Sequence, residues 1–294
     1  MHAENRDNPS IDSPLVTVVV TTHFSAAYLE RCLVSIKQQS YKNIEIVIVD
    51  HNSTDGTQEI ATKYSDRCFF GQAVERSAKR NFGALHGSGK YVLIADSDMI
   101  LSPNVISDCV KGISSDSNLK AMVVPEQSLG SSFWGNCKAL ERSFYVGIDW
   151  MEAARFFLRD VYIEVGGYDE TNTGSEDYDL PQRVQAKYGE SCVGRISEFI
   201  VQNEVDLGFL KSCLKKFYYS QSFPKYAKTP ANSPSFKKQS NLLLRYSLFL
   251  SQPKKLFSRP HVGLGLLVLK TAEFFAGGVG YFIAKTTNSQ RTNE

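Results

Sequence analysis

The sequence contains few cysteines, and nothing in their arrangement pairs them. Its six cysteines are scattered over 294 residues, none stands in a Cys-x-x-Cys pair, and their spacing matches no metal site. Such usage predicts free thiols in a reducing compartment rather than a disulfide scaffold. Residues 1–14 are polar and lack an apolar signal core, so the sequence also predicts a protein that is not secreted.

Acidic residues are scarce in the last third of the chain. Residues 205–285 hold thirteen of the 33 Lys and Arg residues but only two of the 31 Asp and Glu residues. This basic segment predicts an anionic surface as its partner. Its long aliphatic runs, which a nucleic-acid surface does not need, favour a membrane surface and argue against nucleic acid.

The first part of the chain alternates β-branched runs with helical patterns. Strands are predicted at 15–22, 44–49 and 91–95, and a helix at 77–86. This alternation predicts an α/β fold with a doubly wound, mostly parallel sheet. Beyond residue 122 the pattern loosens and predicts a helix at 133–146, a strand near 156–158 and a helix at 178–188. Pro181 would stand in the first turn of the last of these.

The last third predicts helices of mixed basic and apolar character. A basic helix is predicted at 207–228 and a linker at 229–240. Residues 262–284 form an apolar run long enough to span a bilayer. Lys270 and Glu273 near its middle are costly inside a membrane, so the run is predicted to lie in the membrane interface. A helix buried against the rest of the protein is the alternative.

Two carboxylates, Asp96 and Asp98, follow the strand predicted at 91–95. Ligands of open α/β sheets bind outside the carboxyl ends of the strands. Mg²⁺ typically takes one or two carboxylates together with substrate phosphates. The pattern therefore predicts a metal-bound diphosphate ligand, although an isolated Asp-x-Asp is often only a turn or a helix cap.

Two arginines are placed to bind phosphate. Arg76 and Arg80 are four residues apart, so one helical face presents both guanidinium groups. The planar guanidinium binds phosphate oxygens in bidentate fashion. The alternative is a solvated surface charge paired with Glu75, which is the interpretation favoured for Lys79. Asn81 is predicted to tie this helix to a neighbouring loop.

Five co-linear motifs resemble those of the inverting glycosyltransferases of family 2, which have the GT-A fold. The motifs are VVVTT at 18–22, VIVD with STDGT at 47–57, ERSAKRNFG at 75–83, GKY through DSD at 89–98, and GGYD through ED at 166–177. The resemblance, which covers about residues 15–225, implies a GT-A (nucleotide-diphospho-sugar transferase) domain at 14–228 after a disordered segment at 1–13. Residues 229–294 would form a linker and a basic, apolar, helical extension that associates with a membrane.

The resemblance also implies a donor site. Asp50 would recognise uracil or thymine with Thr22 and His23 beside it, while a turn or cap is the alternative role for Asp50. Asp96 would meet the ribose or the sugar, and Asp98 would coordinate Mg²⁺ or Mn²⁺. One of the two arginines would lie near the nucleotide.

Glu176 and Asp177 carry the predicted chemistry on the acceptor side. The resemblance makes Asp177 the general base that removes the proton of the acceptor hydroxyl in a single displacement with inversion. Glu176 would contact substrate. Helix capping is the alternative for both residues, and Asp179 is a weaker competitor for the role of base.

Some positions depart from the family pattern. Thr21 and His23 replace the usual Pro and aromatic residue, which leaves the base preference open. Gln202 stands where many relatives carry a His that binds the metal or the diphosphate. An amide oxygen suits Mg²⁺, and Glu204 could compensate, but weaker or altered metal dependence is predicted. A further set of residues would line the acceptor side or belong to the core: Trp134, Arg142, Tyr145 and Trp150.

Together these patterns predict a cytoplasmic glycosyltransferase associated peripherally with the inner face of the cell membrane. It would transfer a sugar from a nucleotide-diphosphate donor, a UDP-sugar being favoured, to a lipid-linked glycan or polysaccharide precursor. A sugar nucleotidyltransferase or a dinucleotide oxidoreductase would show a Gly-rich loop after the first strand, where this chain has Thr-Thr-His-Phe. A non-catalytic nucleotide-sugar-binding or scaffold protein of the same fold is the remaining alternative.

Overall fold

The structure is a computed structural model that describes residues 13–172, 174–203, 208–229, 231 and 233–291. The strands are β1 (Val16–Thr22), β2 (Ile44–Asp50), β3 (Arg67–Phe70), β4 (Tyr91–Asp96), β5 (Met99–Leu101), β6 (Ala121–Val123), β7 (Glu126–Leu129), β8 (Ala154–Leu158), β9 (Val193–Arg195) and β10 (Ile200–Asn203). The helices before β10 are α1 (Ala26–Lys37), α2 (Thr57–Tyr64), α3 (Arg76–His86), α4 (Val105–Ser115), α5 (Phe133–Ser143), α6 (Arg159–Glu164) and α7 (Glu176–Tyr188). The helices after it are α8 (Phe209–Ser220), α9 (Phe223–Lys228), α10 (Ser233–Ser240), α11 (Leu242–Leu250), α12 (Pro253–Leu256) and α13 (Pro260–Arg291). The predicted N-terminal segment, apart from residue 13, and Glu204 lie outside the described residues.

Seven strands form the central sheet in the order β3-β2-β1-β4-β8-β6-β9. β1 pairs in parallel with both β2 and β4, and β2 pairs in parallel with β3, so the predicted mostly parallel sheet is confirmed. β8 runs antiparallel between β4 and β6, a reversal that the sequence pattern did not predict. A smaller sheet has the order β5-β10-β7, and β5 begins after only Ser97 and Asp98 have followed β4.

The central strands are apolar on both faces because helices cover both faces. Val18 in β1 belongs to a buried cluster with Leu33 of α1, whereas the next residue, Val19, belongs to a second cluster with Ala84 of α3. Successive side chains of a strand point to opposite faces. A strand buried on both sides therefore appears in the sequence as an unbroken β-branched run.

Gly83 allows α3 to lie unusually close to the sheet. A Cβ atom at this position would collide with the Val19 side chain in β1 and would lie 3.3 Å from Val49 in β2. The close approach brings the first turns of α3, which carry Arg76 and Arg80, over the carboxyl ends of the parallel strands. Packing at one end of the helix thus positions charged groups at the other.

Three predicted elements differ from the structure. The basic helix predicted at 207–228 is two helices, α8 and α9, separated after Ser220, and the segment predicted as a linker contains α10. α7 begins at Glu176, so Pro181 stands inside the helix rather than in its first turn. Because proline lacks an N–H, the helical hydrogen bond to the carbonyl of Asp177 is missing there.

The apolar run predicted at 262–284 lies within α13, which packs against α5 and α8. Pro260–Thr286 has the length and composition to cross a membrane, although 44% of its most apolar stretch is buried inside the protein. Leu266 and Leu269 are buried in a cluster with Cys137 of α5. The alternative of a helix buried against the rest of the protein therefore describes one face of α13. The opposite face remains exposed.

Candidate active site

The carboxyl ends of three parallel strands place the predicted donor residues side by side. In the register of the sheet, Thr22 of β1 pairs with Asp50 of β2, and Thr21 of β1 pairs with Asp96 of β4. The carboxylates of Asp50 and Asp96 therefore flank the end of β1, as expected for a ligand site of an open α/β sheet.

Asp50 is fully buried and organises the loop that follows β2. Its carboxylate accepts hydrogen bonds from Thr22 Oγ1 at 2.6 Å, from the Ser53 N–H and hydroxyl at 2.8 and 2.6 Å, and from Gln58 at 3.3 Å. Burial opposes ionisation, but the hydrogen bonds from Ser53 and Thr22 outweigh it, and the pKa of Asp50 is lowered. These hydrogen bonds are those expected of a carboxylate that stabilises a turn, which is the alternative role given above for Asp50.

His23 and Phe24 present two exposed rings beside this loop. Their ring centroids are 4.5 Å apart, and the His23 ring is 5.3 Å from that of His51. Phe24 has a φ of +48°, in the left-handed region that few side chains adopt, and its N–H donates to Ser53 Oγ at 2.8 Å. Phe24 thus places an exposed aromatic ring next to His23.

Arg80 connects Asp96 with Asp177. Its side chain is completely buried; one terminal nitrogen donates to Asp96 Oδ1 and Oδ2 at 2.7 and 2.9 Å, and the other donates to Asp177 Oδ1 at 2.7 Å. The guanidinium also lies 4.9 Å from the ring centroid of Tyr168. Arg80 is thus occupied by protein carboxylates and is not presented to a phosphate, whereas the sequence offered both arginines equally.

Arg76 is the more accessible of the two arginines. Its side chain is 39% exposed and forms an ion pair with the buried Glu176. Lys79, predicted as a solvated charge, is instead buried, and its Nζ donates to the Thr22 carbonyl at 2.7 Å. That prediction was wrong because α3 lies so close to the sheet that the lysine reaches the end of β1. Burial lowers the pKa of Lys79.

Asp177 stands at the first turn of α7 with its side chain 24% exposed. Burial opposes its ionisation, but the positive charges of Arg80, Arg155 and Arg76 outweigh burial, so its pKa is lowered. Asp179, the competitor for the role of base, is buried and receives a 2.8 Å hydrogen bond from Arg183. Arg183 also donates to the carbonyls of Val165 and Gly167, so Asp179 belongs to a hydrogen-bond network that stabilises this turn.

Asn81 ties α3 to that turn, as predicted. Its Nδ2 donates to the Tyr168 carbonyl at 2.9 Å, and its Oδ1 accepts from the Tyr168 N–H at 2.8 Å. Gly167 has a φ of +60°, and a Cβ there would also press on Asn81. The Gly-Gly-Tyr motif thus fixes the segment that leads into α7 relative to the arginines of α3.

Two residues of the site, Arg155 and Glu126, were not predicted from the sequence. Arg155 lies on β8 with its side chain 5% exposed, 3.8 Å from Asp177 Oδ2, and its Nε donates to Glu126 Oε1 at 2.5 Å. Arg142 lies 3.3 Å from the other oxygen of Glu126. The available signal was a charged residue in the otherwise apolar strand Ala-Arg-Phe-Phe-Leu. A buried charge of this kind requires a partner.

Asp98 belongs to the same chain of contacts. Gln202 on β10 donates its amide nitrogen to Asp98 Oδ2 at 3.4 Å, and its amide oxygen accepts from Arg142. Antiparallel pairing of β10 with β5 brings Gln202 opposite Met99, next to the acidic turn. A carboxylate on one side and an arginine on the other determine which way the amide points.

The predicted metal ligands already take part in contacts within the protein. Both oxygens of Asp96 accept from Arg80, and the amide oxygen of Gln202 accepts from Arg142. Within the described residues, no group of three His, Cys, Asp or Glu side chains could hold a metal ion. Asp98 is half-buried and accepts a hydrogen bond from Gln202 at 3.4 Å. One carboxylate together with substrate phosphates is an ordinary ligand set for Mg²⁺.

A cavity of about 280 Å³ lies between the sheet and the C-terminal helices. Six of the predicted site residues are not among those that line it: Thr22, His23, Asp50, Arg80, Asp98 and Glu176. Arg76, Asp96, Asp177 and Gln202 line it on the side of the sheet, and residues of α5, α8 and α13 line the other side. Arg142 and Tyr145 also line it. Trp134 and Trp150 pack against the buried cluster around Cys137, so their alternative role as core aromatics applies.

Sequence comparisons relate the chain to known glycosyltransferases. The family model described as Glycosyl transferase family 2 matches residues 17–169, slightly more than half of the chain. Glycosyltransferase GlyA of Streptococcus pneumoniae is 38% identical over 103 residues, which are 33% of this chain and 15% of GlyA. GlyG of the same species is 34% identical over 100 residues, 32% of this chain and 33% of GlyG. The chain thus matches a third or less of the length of these relatives.

Two solved structures share the fold over nearly the whole chain. The mannosyltransferase PcManGT from Pyrobaculum calidifontis, solved with GDP-Man and Mn²⁺, has a TM-score of 0.61 at 18% identity and covers 92% of this chain and 87% of its own. TarS 1-349 of S. aureus with UDP-GlcNAc has a TM-score of 0.52 at 14% identity, covering 94% and 92%. At these identities the likeness concerns the GT-A-like fold. With the family match over half of its length, the chain belongs to glycosyl transferase family 2.

Proposed function

We propose that this protein is an inverting glycosyltransferase of the hexosyltransferase type. It would transfer a sugar from a nucleotide-diphosphate donor to a hydroxyl acceptor. The observation that carries the proposal is the link from Asp96 through the buried Arg80 to Asp177, because both carboxylates line one cavity. It brings the strand end expected to bind the donor next to a carboxylate that has an exposed edge. A scaffold protein would not need an ionised carboxylate at that point.

Asp177 is proposed as the general base. The acceptor oxygen attacks the anomeric carbon while its proton passes to an oxygen of Asp177, and the bond from that carbon to the diphosphate breaks. The nucleotide diphosphate leaves with the electron pair of that bond, and the anomeric configuration inverts. Three neighbouring cations keep Asp177 ionised, so it is ready to accept the proton at neutral pH.

The donor is proposed to lie along the carboxyl ends of β1, β2 and β4. Arg76, partly exposed in the cavity, is placed to bind a phosphate, and its partner Glu176 holds it in position. The nucleotide base would lie against His23 and Phe24 near Thr22. To bind it, Asp50 would exchange one of its present hydrogen bonds for one from the base. Arg80 is a positioning residue that acts through Asp96 and Asp177. A UDP-sugar is the favoured donor.

Mg²⁺ or Mn²⁺ is proposed as the cofactor. Asp98 would hold it together with the donor phosphates, and the bound ion would stabilise the negative charge that develops on the departing diphosphate. The presence of Mn²⁺ with PcManGT supports this assignment. Arg142, which occupies the Gln202 oxygen, adds a fixed positive charge near the same place and supports the prediction of altered metal dependence.

The C-terminal helices are proposed to bind the cytoplasmic face of the membrane. α11 and α13 expose large apolar side chains, with Leu243 81% and Phe275 77% exposed, and Phe282 lies two turns beyond Phe275 on α13. Two exposed lysines, Lys254 of α12 and Lys285 of α13, would favour anionic lipid headgroups. The acceptor is accordingly proposed to be a lipid-linked glycan or polysaccharide precursor.

The test combines donor binding with turnover. We expect one of a panel of UDP-, GDP- and dTDP-sugars, with Mg²⁺ or Mn²⁺, to raise the melting temperature, since a ligand of the folded state stabilises it. Asp177→Asn should keep this shift but lose at least 100-fold in donor turnover, within the roughly 10²–10⁴-fold range of general-base catalysis. Donor binding with no turnover in the unaltered protein would favour the scaffold alternative instead.

Membrane binding is tested separately by co-sedimentation with vesicles. The protein should sediment with vesicles that contain anionic lipid, and Phe275→Ser together with Phe282→Ser should release it. A protein that remains in the supernatant and needs no detergent would contradict the membrane part of the proposal while leaving the transferase part intact.

A further inference from the structure

A second cavity, of about 340 Å³, adjoins the candidate active site. Its walls come from α8, α9, α10, α11 and α13, together with Gly174, Ser175 and Tyr178 at the start of α7. All of these residues lie outside the matched family region. Its size falls in the range of small-molecule sites. The residues that line both cavities form a neck between them: Gly174, Tyr178, Lys216, Arg245, Lys270 and Glu273. Tyr178 follows Asp177 directly, so the neck begins beside the proposed base.

Aromatic rings form the body of the second cavity. Phe236 of α10 is central, with ring centroids 6.0 Å from Phe223, 5.9 Å from Tyr226 and 6.3 Å from Tyr281. Such a lining suits an apolar chain rather than a charged group. On α13, Tyr281 lines the cavity, and the next residue, Phe282, belongs to the exposed apolar face proposed to contact the membrane.

The cations at the neck outnumber the carboxylates that the described residues place beside them. Arg245 is 7% exposed; its Nε donates to the Gln239 carbonyl at 3.2 Å, but its Nη1 is buried without a hydrogen-bond partner among the described residues. Lys216 contacts the Phe223 ring at 5.2 Å, and within the described part of the chain no carboxylate lies within 4.0 Å of its Nζ. A buried unpaired guanidinium nitrogen is costly, and an anion would satisfy it.

The pKa of Lys216 reflects the burial and the positive charge of its surroundings. Burial and then the neighbouring charge of Lys270 lower it to about 7. Glu273, the acidic residue of the neck, already receives Lys138 at 3.0 Å and Lys270 at 3.1 Å. A bound anion would therefore add a charge that this group of cations lacks.

From these observations, and resting on the proposed function, we infer that the second cavity binds the acceptor and that the acceptor is a lipid-phosphate-linked sugar. Its apolar chain lies among the rings around Phe236, its phosphate lies in the neck at Lys216 and Arg245, and its sugar enters the first cavity. The attacking hydroxyl then meets Asp177, and the chain leaves past Tyr281 toward the membrane face of α13.

The test measures thermal shifts and binding with geranyl phosphate, geraniol and inorganic phosphate as probes. Geranyl phosphate should raise the melting temperature, and the other two, each of which offers half of the chemistry, should not. Lys216→Gln and Phe236→Ala should each weaken geranyl phosphate binding at least tenfold, and Arg245→Gln should act like Lys216→Gln. The matched control Lys237→Gln, an exposed charge next to Phe236, should leave binding unchanged.

Each outcome has a definite meaning. An equal shift with geraniol would contradict the phosphate site, and an equal shift with inorganic phosphate would contradict the lipid. No shift with geranyl phosphate, or a shift that the Lys216 and Phe236 variants leave intact, would overturn the inference. The thermal shift caused by a nucleotide sugar, measured on the same proteins, separates the two proposals. If the unaltered protein shows no such shift, the proposed function is contradicted. If it shows the shift but does not bind geranyl phosphate, only this inference is contradicted.

Discussion

Arg80 and Asp177 form an ion pair of 2.7 Å across 97 residues of sequence, and the arginine side chain has no solvent exposure. The same guanidinium holds Asp96, so the end of β4 and the start of α7 have a fixed separation. The proposed donor and acceptor sides of the reaction are thereby joined by one side chain. Changes at Arg80 should affect stability and chemistry together.

Replacing Arg80 with Met should destabilise the fold severely. The change leaves Asp96 and Asp177 without their main partner, and breaking a buried ion pair from one side costs about 3–5 kcal/mol. Thermal or urea unfolding measures the loss. Lys225→Ala, which removes an exposed pair with Asp169, is the control and should cost about 0–1 kcal/mol. Equal effects of the two variants would contradict the role of Arg80.

The pH profile should reveal the lowered pKa of Asp177. A base works when deprotonated, so activity falls as the pH drops through its pKa, and a lowered pKa keeps kcat/KM level from pH 7 down to pH 5. Arg155→Gln removes the second of the three cations and raises this pKa. The acidic fall in kcat/KM should then move to higher pH. Lys187→Gln, far from the site on an exposed pair, should not move it.

Metal dependence should centre on Asp98. In Asp98→Asn, we expect roughly tenfold or more Mn²⁺ to be needed for the same nucleotide-sugar thermal shift. Asp116→Asn, an exposed carboxylate at the end of α4, is the control. An unchanged Mn²⁺ requirement in Asp98→Asn would mean that Asp98 is not the cation ligand.

Two glycines in helices should respond in opposite directions to the same substitution. Gly83→Ala forces a Cβ into Val19 and should cost about 1–3 kcal/mol through overpacking. Gly278→Ala meets nothing within 4 Å on α13 and should stabilise the protein by roughly 0.5–1 kcal/mol through helix propensity. Urea denaturation compares them directly. A Gly83→Ala variant as stable as the parent would mean that α3 can move away from the sheet.

The ion cluster between α5 and α13 should show strong coupling. Lys270 lies 2.6 Å from Glu141 and 3.1 Å from Glu273, all of them buried. Lys270→Met alone should therefore be more destabilising than the pair Lys270→Met with Glu273→Met, because the pair removes the carboxylate that would otherwise lose a partner. A double-mutant cycle measures this coupling, and simple additivity would contradict it.

The parallel half of the fold was predictable because its signals are local. β1, β2 and β4 are predominantly apolar runs that are recognisable in the sequence itself. Asn81 and Gly83 stand in a motif with family-specific spacing. The burial of Lys79 was not predictable, since it depends on how closely α3 approaches the sheet. The antiparallel course of β8 likewise depends on which neighbour it pairs with, which its own five residues do not encode.

The candidate site was predictable as a set of residues but not as a pattern of contacts. Asp96, Asp177, Arg76 and Arg80 do gather in one region, as their motifs indicated. Which arginine is buried between carboxylates and which faces the cavity depends on the tertiary packing of α3 against α7. Arg155 and its partner Glu126 were the missed members, because a single arginine in an apolar strand indicates that a buried partner exists without indicating which residue it is.

α13 contributes Lys270 and Glu273 to the neck between the two cavities. A protein shortened to end before Pro260 would therefore lose part of the lining of both cavities, together with the proposed lipid contact. Inactivity of such a fragment would say nothing about whether the enzyme needs a membrane. For the same reason, exchanging the last helices between relatives would test whether these helices select the acceptor, as proposed.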